Sequence, residues 1–310
     1  MIIGITGGCG YVASILGPLL ARRVDQVDLI DIRPPVNEVA KLFSTKRCAY
    51  LKADVSQAET MKEIAARYDV IIHLAALVGY PACKENPELA RQSNVVTTEN
   101  VMRFKKKNAR VIYASTISAF GDQPDDVLVT ETTPVHPNSI YGQTKREAEL
   151  VVLANKPNGT VLRFAGSFGF APQMRHDLLI HDFACKAAAG ERLSIYENTF
   201  VRQFIHVRDM AEALIFTLDH GNQMGGEVFN VGNPRVEITK RDLVQQIAKQ
   251  CPFPYEFEES GKDLEKRNYR VSFKKMLSVG FTPRMTLDAG LRELIPYYKQ
   301  SLPKELANVG

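Results

Sequence analysis

Residues 2 to 20 set an apolar strand, a glycine-rich turn and a helix start in immediate succession, and no other stretch restricts the fold so tightly. The run MIIGIT has the length and composition of a short buried strand. GITGGCGYVAS, residues 4 to 14, carries it into a helical pattern over residues 10 to 23. Glycines in such a turn permit tight backbone geometry and let backbone amides approach an anionic group. Two registers fit. From Gly8 the spacing is Gly8-x-Gly10-x-x-Ala13; from Gly7 it is Thr6-Gly7-x-x-Gly10-x-x-Ala13. In both, Ala13 falls where helix packs on strand and a small side chain is required. A strand-to-helix turn that binds nothing is the third reading.

The alternation continues downstream. QVDLIDI, AYLKADV, DVIIHLAAL, ARVIYAST and GTVLRFAG read as strands two to six, separated by helical patterns near residues 57 to 67, 87 to 107 and 139 to 154. Strands alternating with helices predict an α/β fold, a Rossmann-type doubly wound parallel sheet. After Gly166 the pattern loosens. A loop-like GSFGFAPQMRHD leads to a helix over 177 to 190, strands LSIYE and RQFIHV, a helix over 208 to 220, strand GEVFNVG, and helices over 239 to 250 and 286 to 300. The expected division is a dinucleotide-binding domain over 1–166, completed by about 200–225, and a smaller, discontinuous C-terminal α/β substrate lobe over 167–310. That lobe should pack on the carboxyl edge of the sheet, where open α/β sheets bind ligands.

Composition excludes several classes. The balance of 39 Lys+Arg against 35 Asp+Glu leaves a net charge of only +4 over 310 residues. The densest basic run, Lys105-Lys106-Lys107, suits a solvated helix end, so a nucleic-acid partner is not expected. The five cysteines, at 9, 48, 83, 185 and 251, are odd in number and include no Cys-x-x-Cys, which signals neither a disulfide framework nor a zinc site. No metal is expected. No run approaches the ~18–20 apolar residues of a membrane span. No basic leader precedes the first strand, and the expected location is the reducing cytoplasm.

Asp31 ends the second strand, 18 residues after Ala13. A carboxylate there can accept hydrogen bonds from adenosine ribose hydroxyls and would repel a ribose 2′-phosphate, which favours NAD over NADP; Arg33 argues the other way. Asp54 and Val55 close the third strand, where the carboxylate could meet an adenine amino group. Ala75 and Ala76 are small where a cofactor backbone must pass. The fifth strand ends in ASTISAFG, and 25 residues after Thr116 stands Tyr141-x-x-x-Lys145. On a helix these two share a face. The ammonium lowers the phenol pKa and can hold the nicotinamide ribose. The tyrosinate can then take a proton from a sugar hydroxyl as hydride leaves its carbon, with Thr116 orienting the same oxygen. Alone, Tyr-x-x-x-Lys is a surface pair. Together with Thr116 and Asp31 it selects the register Thr6-Gly7-x-x-Gly10-x-x-Ala13, in which Gly8 is an extra glycine.

Taken in order, TGGCGYVAS, DVIIHLAALVG, YASTISAFGD, YGQTKREAE, LRFAGSFG, FVRQFIHVRDMAEA and FNVGN resemble the extended short-chain dehydrogenase/reductases of the NAD-dependent sugar-nucleotide epimerase/dehydratase family, over nearly the whole chain. The resemblance is UDP-glucose 4-epimerase-like. VGYPACKENPELA, APQMRHDLLIHDF and EKRNYRVSF are closer to a subgroup similar to GDP-heptose 4-dehydrogenases. It implies NAD as cofactor and a nucleotide-diphosphate sugar as substrate. Gly7 and Gly10 would hold the pyrophosphate with Tyr11 and Val12 beside them, Asp31 the ribose, Asp54 and Val55 the adenine. Leu74, Ala75, Ala76 and Ser115 would line the cofactor, and Phe164 would meet the nicotinamide. Thr116, Tyr141 and Lys145 would be the catalytic triad, with Tyr141 and Lys145 also touching the cofactor. Arg202 would bind the substrate diphosphate beside Thr116's sugar; Arg267 and Arg270, in the C-terminal lobe, either help bind it or lie in a solvated charged loop. A homodimer through the helices near 87–107 and 139–154 is implied.

The departures are informative. Sugar-nucleotide 4,6-dehydratases follow the Thr with Asp-Glu; here Ile117 and Ser118 follow, which disfavours that reaction. Val-Tyr-Gly is replaced by Ala119-Phe120-Gly121, and Gly166 stands where UDP-galactose 4-epimerases often have Asn. His73 and His206 fall in strands, as structural histidines; His176 and His181 follow the substrate-facing loop, where a second acid would serve epimerisation beside a ketone. The expected activity is oxidation of carbon 4 of an NDP-hexose or NDP-heptose through a 4-keto intermediate, as a 4-epimerase. The alternatives are a 4-dehydrogenase that releases the 4-keto sugar and, more remotely, a non-catalytic NAD-binding regulator.

Overall fold

The computed structural model describes residues 1–41, 47–125, 127–259, 261 and 268–301. The chain runs β1 (Ile2–Thr6), α1 (Ala13–Ala21), β2 (Gln26–Asp31), α2 (Asn37–Ala40), β3 (Cys48–Lys52), α3 (Ala58–Ile64) and β4 (Val70–His73). There follow α4 (Tyr80–Glu85), α5 (Pro87–Arg91), α6 (Thr97–Phe104), β5 (Arg110–Thr116), β6 (Leu128–Val129), α7 (Ile140–Leu153), β7 (Gly159–Phe164) and β8 (Gly166–Phe168). Next come α8 (Leu179–Ala189), β9 (Leu193–Ile195), β10 (Val201–His206), α9 (Val207–Asp219), α10 (Gly221–Met224) and β11 (Val228–Val231). The last elements are β12 (Glu237–Thr239), α11 (Lys240–Gln250), β13 (Tyr255–Phe257), β14 (Arg270–Val271), α12 (Lys274–Ser278) and α13 (Leu287–Ser301).

Seven strands form one sheet in the order β11-β7-β5-β4-β1-β2-β3, every pair parallel. The strand order reverses between β1 and β4, so a crevice opens beyond Thr6 and His73, which stand in register. Helices cover both faces, and the central strands β4 and β7 are accordingly buried at every position, including the polar His73, Thr160 and Arg163. The expected doubly wound sheet is the observed one. Its last strand, β11, lies a little beyond the expected return at 200–225, because α9 first crosses the face of the sheet and packs on α1.

Three small sheets build the second lobe: β12-β10-β8, β13-β9 and β14-β6. Around them α8, α11 and α13 enclose a separate core that includes Phe168, Phe183, Phe204, Leu243, Leu291 and Leu294. In the β6–β14 pair, Val129 and Val271 pack with the main core, while Leu128 is exposed. The stretch read as one helix over 87–107 is continuously helical from Pro87 to Phe104, with a π-helical middle. It opens with Pro87 at the first turn of α5, passes through a π-helical turn at Gln92–Val96, and resumes as α6.

Candidate active site

The glycine turn shows why Gly7 and Gly8 are needed. Gly7 has φ +66° and a Cβ there would lie 2.8 Å from the Ala75 nitrogen, so the turn runs directly against the end of β4. At Gly8 a Cβ would lie 2.6 Å from the Leu29 Cα, and the Gly8 N–H donates to the Ile30 carbonyl at 3.1 Å. Gly8 is therefore more than an extra glycine: it lets the turn press on β2. Ala13 is fully buried among the apolar residues beneath α1. The α1 amides of Ser14 and Leu16 already donate to the Gly10 and Val12 carbonyls, at 2.9 and 3.0 Å, so the helical bonding begins within the turn itself.

Asp31 is tied to this turn. One carboxylate oxygen accepts from the Cys9 N–H at 3.1 Å and the other from the Arg33 N–H at 3.0 Å. The Arg33 Nε stays 3.9 Å away on an exposed side chain. Burial, then the Asp31 charge, push the Cys9 thiol up to about 12, so it is an inert filler. Asp54 is exposed at the start of α3, where its carboxylate accepts from the Ser56 N–H at 2.9 Å. The Val55 side chain is in the core with Met61 and Ile64. The Tyr11 ring turns to the second lobe, where its hydroxyl donates to the Gly169 carbonyl at 2.6 Å, leaving the crevice its backbone only. Val12 packs partly against both the main core and the Tyr11 cluster.

At β4 the Leu74 N–H donates to the Thr6 carbonyl and the Ala75 N–H to the Thr6 hydroxyl at 3.3 Å; Leu74, Ala75 and Ala76 are all half-buried. His73 is fully buried between the Thr6 and Thr98 hydroxyls, at 2.6 and 3.0 Å. Burial, with the Lys145 charge, pulls its pKa down to about 3. It is structural, as expected.

β5 delivers Thr116, in register with Phe164 on β7. The Thr116 hydroxyl accepts from the Ser118 N–H at 3.1 Å and donates to the Ser118 hydroxyl at 3.2 Å, starting a 3-10 turn over Ile117–Phe120. Ser139 caps α7 by accepting from the Gly142 N–H at 3.1 Å. A Cβ at Gly142 would lie 2.8 Å from the Ser118 carbonyl oxygen, so the helix start bearing Tyr141 abuts the turn that follows Thr116. Tyr141 is half-buried; Lys145, one turn on, is buried with its ammonium 4.3 Å from the Tyr113 ring centroid. Burial pulls the Lys145 pKa down to about 7, opposed by the charges of Glu149 and Cys83. Thr116 and Phe164 are thus neighbours across β5 and β7, and the helix of Tyr141 and Lys145 starts against the turn that follows Thr116. Ser115 differs: its hydroxyl is committed to Glu149 at 2.6 Å, so only its backbone is available to a ligand.

In the second lobe, Arg202 lies on β10 and Arg270 on β14, bound together because the Gln203 side chain exchanges two hydrogen bonds with the Val271 backbone. Arg270 pairs with Glu237 at 2.9 Å. Arg267 lies outside the described residues. His181 accepts from the Gly169 N–H at 3.0 Å through Nε2, and burial pulls its pKa down to about 4. Its Nε2 is thus an acceptor and cannot be the second acid considered above. His176 meets the Tyr298 hydroxyl at 3.3 Å and stacks on Tyr297. His206 caps α9 and meets Glu293 at 3.2 Å.

Sequence reasoning missed Asn94. From the π-turn its amide accepts from the Leu77 N–H at 2.7 Å, donates to the Leu77 carbonyl at 3.0 Å and donates to Thr144 at 2.9 Å. It therefore ties the loop after β4 to the helix of Tyr141 and Lys145. The extra residue of a π-turn, which aims this amide inward, leaves no local signal in the sequence. Among the described residues no cluster of His, Cys, Asp or Glu is placed to hold a metal ion, and no helix is long and apolar enough to cross a membrane.

A family model described as the NAD dependent epimerase/dehydratase family matches residues 3–232. A dTDP-glucose 4,6-dehydratase of Streptomyces niveus is 25% identical over 97% of this chain and 94% of that one. MoeE5, solved in complex with UDP-glucose and NAD, is 26% identical and superposes with a TM-score of 0.84 over 98% of this chain and 100% of that one. The UDP-glucuronic acid 4-epimerase of Bacillus cereus, solved with UDP-glucuronic acid and NAD, shares the fold at 22% identity, with a TM-score of 0.86 over 97% and 99% of the two chains.

Proposed function

The chain belongs to the NAD-dependent epimerase/dehydratase family, whose model spans most of its length, and from that premise we propose that it oxidises carbon 4 of a nucleotide-diphosphate hexose or heptose and acts as a 4-epimerase. The residues present fit NAD: the turn at Gly7 and Gly8 is packed too closely for any Cβ, and the Asp31 carboxylate is held against that turn. Gly7, Gly10, Tyr11 and Val12 would hold the pyrophosphate through backbone, Asp31 the ribose, and Asp54 and Val55 the adenine side. Leu74, Ala75, Ala76, the Ser115 backbone and Phe164 would line the remainder. When bound, NAD would supply the hydride acceptor and donor for carbon 4.

The chain's own residues handle the proton. Tyr141 removes it from the sugar 4-hydroxyl and returns it at the end of the cycle. Lys145 favours the phenolate by its charge and would hold the nicotinamide ribose. Thr116 orients the reacting oxygen. Arg202 and Arg270 would hold the substrate diphosphate, for which a guanidinium fork is suited.

The observation that carries the reaction type is the turn after Thr116. Ile117 is buried and Ser118 is bonded to Thr116, so no carboxylate stands there to eliminate water. That supports a 4-keto sugar that is reduced again over a dehydratase outcome. The test is incubation with a panel of nucleotide sugars. A 4-epimer with no net NADH supports the proposal; a released 4-keto sugar with stoichiometric NADH would make the enzyme a 4-dehydrogenase.

We also propose a homodimer through α5, α6 and α7. Leu89 and Leu150 are 51% and 53% exposed on these helices, beside the Arg91–Glu147 ion pair. Light scattering should give twice the chain mass, and Leu150→Glu should halve it.

A further inference from the structure

Glu149 is fully buried in α7, and four donors meet its carboxylate. Arg163 on β7 donates from Nε at 2.8 Å and from a terminal nitrogen at 2.7 Å. Ser115 on β5 donates at 2.6 Å, and Arg146 donates at 2.8 Å. Each donor neighbours a residue of the candidate site: Ser115 precedes Thr116, Arg163 precedes Phe164, Arg146 follows Lys145. Tyr141, Lys145 and Glu149 succeed one another at four-residue steps, along one stripe of the helix. The simplest structural role, holding a buried arginine, needs neither Ser115 nor this spacing.

We propose that Glu149 is a positioning residue for Thr116, Tyr141 and Lys145: it fastens α7 to β5 and β7, and sets next to Lys145 along the helix the negative charge that this buried ammonium faces. The inference rests on the reading of Tyr141 as the proton acceptor. Lys145 is faced by Tyr113 from β5, His73 from β4 and Cys83 from α4, and by Glu149 on its own helix; Tyr141 stands one turn before it on the same stripe. Burial pulls its pKa down, and Glu149 is the largest group resisting that fall. With Glu149 neutralised, Lys145 loses its proton at lower pH and the Tyr141 phenol loses the cation that favours its ionisation. The direct relief of Glu149's own charge on Tyr141 acts the other way, but from two turns off rather than one.

The experiment needs no turnover. Tyr141 is titrated by tyrosinate absorbance, as the difference between each protein and its Tyr141→Phe counterpart. The backgrounds are the native chain, Glu149→Gln, and Glu149→Gln with Arg163→Met, which also removes the buried guanidinium that Glu149 compensates; Arg146 is part-exposed and can be hydrated. Circular dichroism reports folding. The expected result is a phenol titrating about one pH unit or more higher in the folded variants. A titration at the native pH in a folded variant overturns the proposal. So does a double variant that does not fold, because Glu149 would then be structural only. If every nucleotide sugar failed to turn over, the proposed function would fall while this coupling was still read. If turnover dropped with the titration unmoved, the function would stand and Glu149's role would not.

Discussion

The two sides of the crevice are built by different means. On the sheet side, backbone does the work: Gly7 and Gly8 admit no Cβ, Ala13 is fully buried, and Asp31 is held by the Cys9 amide of the turn and the Arg33 amide. On the lobe side, side chains from distant segments are brought together: the strands of Arg202 and Arg270 are joined through the Gln203 side chain and the Val271 backbone. Backbone demands are strict and local. Side-chain clusters assembled across the chain are adjustable, and this is where relatives with one fold can differ in the sugar they accept.

The comparison breaks most sharply at the joint between the two sides. Tyr141→Phe should lower kcat by ~10²–10⁴-fold with retained NAD affinity; full activity in that variant would remove the proposed base. Next in size, Asp31→Ala should weaken NAD binding by roughly tenfold or more and narrow its preference over NADP, as lost charge-assisted hydrogen bonds imply. An unchanged NAD titration would mean that the acidic partner only braces the loop. Gly8→Ala should destabilise the fold by about 1–3 kcal/mol in urea, the cost of overpacking against β2. A neutral result would show that the turn can yield, and the strictness claimed for this side would be lost. On the adjustable side, Arg270→Ala should raise KM for the nucleotide sugar by about tenfold or less with little change in kcat, since this exposed arginine is already shared with Glu237.

The smallest effect is in pH. His73 on the sheet side and His181 on the lobe side have pKa values pulled by burial to about 3 and about 4, below the ordinary 6.5. The unfolded chain therefore binds more protons at mildly acid pH, and both sides lose stability as pH falls from about 6.5 toward 4. His181→Gln should flatten part of that loss in a thermal-melt series, and an unchanged slope would show that His181 does not titrate with unfolding.

The same contrast explains what was legible in the sequence. The glycine turn, Asp31 and Tyr141-x-x-x-Lys145 announce themselves because each role needs particular residue types at fixed spacing along one strand or helix. Gly8 was read as surplus because β2, which presses on it, is distant in sequence. Asn94 and Glu149 look like ordinary helix residues, and only the packing of three elements shows what they hold. The helix over 87–107 carries continuous periodicity, which does not reveal the π-turn at Gln92–Val96 within it. His181 stood beside a substrate-facing loop, but its ring nitrogen is occupied by the Gly169 amide.

The central claim, reversible oxidation at carbon 4, is tested most directly with nucleotide sugars deuterated at that carbon. Internal return of the hydride predicts a 4-epimer by NMR that retains deuterium at carbon 4, with no NADH accumulating. Deuterium lost to water, a ketone released with deuterated NADH, or binding of NAD with no change in any nucleotide sugar would contradict it.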